Sequence, residues 1–284
     1  MDAAKQFDHH SSIPSLHLSM RAGRTRSIGL LASGLLVGAM SMSANAGSVI
    51  SSTTDLDYQL PEKIVKVCTE RENCPKIEVK YLKTNHDWIN NTVNARINNV
   101  VVNSKPAESA PIKKKNTAAE VKSAIDGFIN SQFVDQPKDR QWPYELIVKP
   151  NYLGHVNDFE LFEIDSYSYT GGAHGMSYSE YLVFDLNAKT QVKLDDMLIA
   201  GQKPRFTALA YDAYKTWVKT FDDDVSRYEK NWPFTLSDNI TLTDKGIVIL
   251  YQPYAIGPYA AGMTVLSIPY SKLNKVIKPR FMPK

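Results

Sequence analysis

The chain has 284 residues, 43% of them hydrophobic and 22% charged, and a formal net charge of +3. That balance gives no general electrostatic reason to bind nucleic acid. The length is enough for a sizeable core, built as one domain or two small ones.

Arg21, Arg24 and Arg26 precede an uncharged run from Ile28 to Met42, which ends in Ala44-Asn45-Ala46. A basic start, an apolar middle and a small-x-small end form a secretory signal. Cleavage is expected after Ala46, with residues 1–46 as an N-terminal extension and signal peptide. Translation is open between Met1 and Met20. The apolar run is shorter than the roughly 20 residues a spanning helix needs, and no later stretch is long enough. The expectation is a periplasmic or secreted protein with no membrane span after cleavage.

Two halves are expected, 47–140 and 141–284. In the first, Ile64–Cys68 and Lys76–Lys83 read as strands, the second with Ile77, Val79 and Tyr81 on one face. Cys68 and Cys74 flank a polar turn in an exported chain, which favours a disulfide stapling a hairpin end. From His86 to Val102, Ile89, Val93, Ile97 and Val100 recur at near-helical spacing, with an asparagine-rich face expected in solvent. Ser104–Lys115, with two prolines and three lysines, reads as a loop; its lysines are a solvated surface or a contact for an anionic partner. Thr117-Ala-Ala-Glu120 is a capping box. It opens a helix whose stripe is Val121, Ala124, Ile125, Phe128, Ile129 and Phe133, ended near Pro137.

From Trp142 the period turns strand-like. Tyr144–Tyr152, Phe159–Thr170 and Ser177–Leu186 are expected strands, with a turn over Gly154–Asp158. Between the last two lies Gly171-Gly172-Ala173-His174-Gly175, where three glycines in five residues imply backbone angles or close approaches that a Cβ would block. Gln191–Leu194 returns from a hairpin at Asn187–Lys189, and Asp195–Leu198 reads as a helical turn. Pro204 starts an amphipathic helix whose stripe runs from Phe206 to Phe221 and includes Trp217, a core residue or a partner contact. Asp222-Asp223-Asp224 is a solvated loop; it lacks calcium-loop spacing. Phe234–Leu236, Ile240–Leu242, Ile247–Tyr251 and Met263–Ile268 are further strands, and Tyr270–Val276 a short helix. Tyr254-Ala-Ile-Gly-Pro-Tyr-Ala-Ala-Gly262 is a second aromatic, glycine-bearing loop.

The chain after residue 46 has three histidines, His86, His155 and His174, none spaced as metal ligands on a helix face. No nucleophile elbow, phosphate loop or dinucleotide fingerprint occurs. No metal and no cofactor is expected. His174 is the one titratable group in a suggestive place. Its ring either locks the glycine loop or acts as a base on a nearby hydroxyl with another group orienting it, roles for which Ser177, Tyr169 and Asp165 are near in sequence.

Tyr169-Thr-Gly-Gly-Ala-His-Gly175, Tyr181…Phe184-Asp-Leu186, Leu194-Asp-Asp-Met197, Phe234…Gly246-Ile247 and Tyr254…Gly262, in that order, resemble the extracellular domain of the RsiV family of anti-sigma factors. A similar module forms the non-catalytic N-terminal part of PdaC-type peptidoglycan deacetylases. The resemblance implies an α+β fold, with a twisted, mostly antiparallel sheet, helices packed on it and two loosely separable halves. In RsiV the module binds lysozyme. Carried over, that makes Tyr169, Gly171, Gly172, His174, Tyr254, Pro258 and Tyr259 candidate ligand-binding residues. The anti-sigma and deacetylase segments themselves are missing here. The resulting expectation is a non-catalytic binding protein for lysozyme-like hydrolases or cell-wall glycan. The alternatives are an envelope hydrolase using His174 with a nearby Ser or Asp, and a structural accessory protein of the envelope.

Overall fold

The computed structural model describes residues 49–103, 115–135 and 142–283. The signal with its cleavage point at Ala46, most of the two-proline loop and the breaker Pro137 lie outside the described residues. Asn45–Lys284 forms one compact unit.

The fold is α+β. Six strands follow in chain order: β1 (Ser51–Asp55), β2 (Lys76–Thr84), β3 (Glu145–Val156), β4 (Phe159–Tyr169), β5 (Met176–Asp185) and β6 (Thr190–Val192). Their order in the sheet is their order in sequence, and every neighbouring pair is antiparallel except β2–β3. That parallel pair needs a long crossover, which here carries helices α2 (Asp87–Val102) and α3 (Ala118–Asp135). The pairing of Lys76 with Glu145 runs across the boundary expected near residue 140.

A second sheet holds β7 (Ile240–Leu242), β8 (Gly246–Leu250) and β9 (Val265–Pro269). Short helix α4 (Leu194–Met197) and long helix α5 (Lys203–Val218) link the two sheets, followed by α6 (Val225–Glu229). Helix α7 (Tyr270–Leu273) comes after β9.

Alternation along β3–β5 sends side chains to opposite faces and so divides the apolar residues between two cores. Leu146, Val148, Phe162, Ile164, Leu182 and Phe184 pack against α2 and α3. Phe159, Leu161 and Val183 pack in the other core with β7–β9 and with Phe206, Ala210, Tyr214 and Val218 of α5. Each fully buried large apolar side chain contributes about 1.5–3 kcal/mol relative to exposure. The strong sequence stripes therefore fix which face of each helix turns inward.

The capping box is formed: Glu120 N–H donates to Thr117 Oγ1, and Thr117 N–H donates to the Glu120 carboxylate. The disulfide joins Cys68 to Cys74. Its setting differs from expectation. Residues 64–68 are not a strand but part of α1 (Glu62–Glu70), so the bridge closes a helix-to-strand corner rather than a hairpin. Ile64 and Cys68, four apart, are the buried pair, and Val65 is exposed. A β-branched run here follows the helical period because only one face has a core to meet.

Three further expectations are corrected. The β3–β4 turn is only Asn157-Asp158, with Asn157 at φ 52°; Gly154 sits inside β3 at φ 94°, beside a register shift that accommodates Leu153. Phe234–Leu236 forms no strand, and Phe234 instead lies against the second core. The last buried position of the α2 stripe is Val101 rather than Val100.

The asparagine-rich face of α2 is not solvated; it hydrogen-bonds the edge of β2. Asn94 Oδ1 accepts from Leu82 N–H at 2.8 Å and its Nδ2 donates to Leu82 C=O at 3.0 Å. Asn90 repeats the exchange with Thr84 at 2.8 and 3.1 Å. Four helical residues rise about 6 Å and two strand residues about 6.6 Å, so amides four apart match alternate residues of a strand. They stand in where β3, paired only with Lys76–Val79, no longer reaches. The opposite side of the sheet is closed alike. β6 pairs only with residues 183–185 of β5. Beyond it, Asn239 bridges Tyr181 N–H and Ser179 C=O, and Gln252 takes both Ser179 N–H and C=O.

Candidate recognition site

The glycine loop between β4 and β5 is shaped by its own backbone. Gly171 and Gly172 sit at φ 92° and 89°, where a side chain is strained. Gly175 needs its missing Cβ for a different reason: that atom would lie 2.4 Å from the Tyr167 ring. Tyr169 Oη donates to the Gly172 carbonyl at 3.1 Å. The loop is thereby held as an exposed tip, with Gly172, Ala173 and His174 outward.

The second loop comes from far along the chain and meets the first. Its base is anchored on α5 and α6: Gly257 packs against Tyr228 and Trp217, and Tyr228 Oη donates to Ile256 C=O. Pro258 then leads into a 3-10 turn, Tyr259–Ala261. The Tyr259 ring stacks on His174, centroids 3.6 Å apart and planes 14° apart. Tyr259 Oη donates to the Gly175 carbonyl at 2.8 Å, and His174 Nδ1 lies 3.0 Å from the same oxygen.

Tyr254 lies 5.8 Å from Tyr259, and Trp232 lies 6.5 Å from Tyr254. The rings thus form a row, Trp232–Tyr254–Tyr259–His174, with Tyr254 48% exposed. Trp142, 70% exposed, precedes β3 at this same end of the sheet. Of the sequence candidates, Tyr169 contacts Gly172, and Tyr254, Tyr259 and His174 contact one another in series, with Gly171 and the exposed Pro258 adjacent in sequence. Trp232 was not found by sequence reasoning. It stands in an aperiodic Asn-Trp-Pro segment, and only its position in space marks it.

The His174 ring is engaged by its own loop and by the second one. Among the described residues no carboxylate hydrogen-bonds its ring, and its neighbours are the Gly175 carbonyl and Tyr259. Nor does any group of three or more His, Cys, Asp or Glu among the described residues suit a metal ion. Trp217 is half-buried among Tyr214, Phe221 and Tyr228, supporting the second loop from beneath rather than offering a contact face.

Beside the row, a cleft of about 410 Å³ opens between the end of α2 and the β4–β5 strands, and His174 lines it. Arg96 reaches from α2 to the Glu180 carboxylate at 2.7 Å, and Tyr178 Oη donates to the same carboxylate at 3.2 Å. Burial, with the Glu180 charge adding, pushes the Tyr178 phenol up to about 12. On the other face of β4, burial holds the Glu163 carboxyl above its ordinary range. The Ser179 hydroxyl, 2.7 Å away, opposes that shift, and the nearby Asp165 charge adds to it.

Two family models match this chain. A protein family of unknown function, DUF3298, matches residues 195–271, and the family described as deacetylase PdaC matches residues 68–177. Solved structures of similar fold include a DUF3298 family protein from Pseudomonas aeruginosa PAO1. It has 25% identity and a TM-score of 0.55, over 83% of this chain and 95% of that one. A DUF3298 family member from Bacteroides fragilis NCTC 9343 has 17% identity and a TM-score of 0.57, over 83% of this chain and 96% of that one. No curated protein matches. The likeness is to these two families as such and does not single out the RsiV branch. His174 lies in the stretch matched by one family and Tyr254 and Tyr259 in the stretch matched by the other, so the row of rings bridges the two.

Proposed function

We propose that this chain is a non-catalytic binding protein of the cell envelope, periplasmic or secreted, and that the two joined loops are its recognition edge. The observation that carries this reading is the His174–Tyr259 stack, which fixes an exposed glycine tip against an exposed aromatic loop. Tyrosine and glycine suit such an edge, since the first gives large contact area at low entropic cost and the second lets backbone approach a partner. Export is supported by the disulfide and by the signal-like N-terminal sequence. Among the described residues no helix is long and apolar enough to cross a membrane. The likeness to the PdaC and DUF3298 families fits an envelope role. The ligand classes this reading takes are a lysozyme-like hydrolase and cell-wall glycan, as the RsiV and PdaC resemblance implies.

Calorimetric titration with c-type lysozyme and with soluble muropeptides tests it. Binding of either, weakened at least about tenfold by Tyr259→Ala, is the expected result. No heat with any of them at high micromolar concentration refutes the reading.

A further inference from the structure

We infer that the chain associates with a second copy of itself by pairing β1 with β1 across a two-fold axis, so that the six-stranded sheets of the two copies run on into one. This inference is independent of the binding reading above.

β1 is the outer strand of its sheet and pairs with β2 on one side only. Two bonds fix which of its backbone groups face outward. Leu56 N–H donates to Val79 C=O at 2.8 Å, and Ile50 N–H donates to Asn85 Oδ1 at 3.0 Å. Bonding direction alternates along an antiparallel strand. Ser52 and Thr54 therefore turn their N–H and C=O groups toward β2, as Ile50 and Leu56 do. The N–H and C=O groups of Ser51, Thr53 and Asp55 point away from the sheet. Ser52, Thr53, Thr54 and Asp55 are exposed, and Ile50 is 72% exposed.

The other open edges among the described residues are blunted, as natural sheets blunt edges that must stay unpaired. Past Val148, β3 carries Pro150, which has no N–H to give, and a register shift at Leu153. The β5 edge is filled by the Asn239 and Gln252 amides. β6 and β7 have three residues each, and β9 ends in Pro269. β1 has five residues with no proline, no lysine and an unbroken register. Its one charge, Asp55, is already held by Lys80 at 2.8 Å. An edge left without any such device fits a strand that is paired in the working protein.

A second copy suits this edge because the strand is complementary to itself. Outward groups must meet outward groups, and overlap is greatest with Thr53 on the axis. Ser51 of one copy then lies opposite Asp55 of the other, and each such pair exchanges both of its N–H···O bonds. The Asp55 carboxylate meets a hydroxyl rather than its own like. One position further out, Ile50 meets Leu56 of the second copy, which covers the exposed isoleucine with an apolar cross-strand neighbour. The axis of such a pair stands perpendicular to the sheet. Both copies therefore keep α2 and α3 on one face, and their β4–β5 glycine loops point to opposite ends, a two-headed arrangement.

The test is sedimentation velocity of the chain as purified from expressing cells, from about 1 to 500 µM, with amide hydrogen exchange across the same range. A strand pair of this length is at the small end of protein interfaces, so the midpoint should fall in the micromolar range. The expected result is a monomer-to-dimer transition, with protection at the Ser51, Thr53 and Asp55 amides rising with concentration. Thr53→Lys sets two like charges against each other on the axis and should weaken the dimer at least about tenfold. Its position is exposed, so the melting temperature of the dilute protein should not change. Thr53→Pro removes an outward N–H and should act alike; if that variant does not fold, Thr53→Lys decides alone. A chain that stays monomeric throughout overturns the inference, whether or not the edge then takes up an extended segment of another protein. A dimer that survives Thr53→Lys, or forms without added protection at Thr53, also overturns it by placing the interface elsewhere.

Discussion

At Gly175 the chain passes so close to the Tyr167 ring that a single methyl group would force the end of that side chain to shift. Gly175→Ala should therefore cost about 1–3 kcal/mol, the range for overpacking, and lower the melting temperature by several degrees. In a double-mutant cycle with Tyr167→Ala the two losses should fall short of additive, because the second change removes the clash made by the first. Glu163 gives a prediction of a different kind. Its carboxyl holds its proton more tightly when folded than the ordinary value of 4.5, chiefly through burial. A raised carboxyl favours the fold while protonated, so its contribution declines as pH rises from about 4.5 through the raised value. Urea denaturation at stepped pH should show Glu163→Gln gaining on the parent protein across that window and holding a constant lead above it. A pH-independent difference would contradict the burial. How deeply Glu163 sits is not a local signal, since it depends on what covers the sheet.

Among the elements, α3 was legible at its start and along its inner face: the Thr117–Glu120 box and the stripe behind it are local signals, and both formed. Helix α1 was not. Ile64–Cys68 is a short β-branched run that fits either period, and a core on one side only decided it. The face of α2 was misread because asparagine signals polarity and not the identity of the partner. Its amides carry a testable load. Asn94→Ala leaves the Leu82 N–H and C=O without their partner in a buried position, at a cost of about 1–3 kcal/mol. Hydrogen exchange at Leu82 should quicken with it. Asn94→Asp, nearly the same shape, should be no milder, because a carboxylate cannot donate to Leu82 C=O.

For the molecule as a whole, the α+β class followed from the family resemblance, and the disulfide from an even cysteine count with a short spacing. The site was half legible. Each loop announced itself through its glycines and aromatics, but their meeting did not, since 84 residues separate Gly175 from Tyr259. The tertiary contacts of the second loop, among them Tyr259 on Gly175 and Gln252 on Ser179, bring them together. The bridge from Cys68 to Cys74 closes a small loop, which in the chain-entropy account is worth about 2 kcal/mol. Reduction by a thiol should lower the unfolding free energy read from urea denaturation by about that amount, and an unchanged value would contradict the chain-entropy account here.

The paired amides of α2 also set an order in time. The first half of β2 must wait for Glu145–Val148, the parallel neighbour that a chain made from its N-terminus delivers last among the partners of β2. The second half need not wait, since Asn90 and Asn94 lie only 6 and 12 residues beyond Thr84 and Leu82. Contacts that close in sequence form before those that require long loops. β2 and α2 can therefore dock on each other while β3 is still unmade, and exchange protection should appear at Leu82 and Thr84 before it appears at Lys76–Val79.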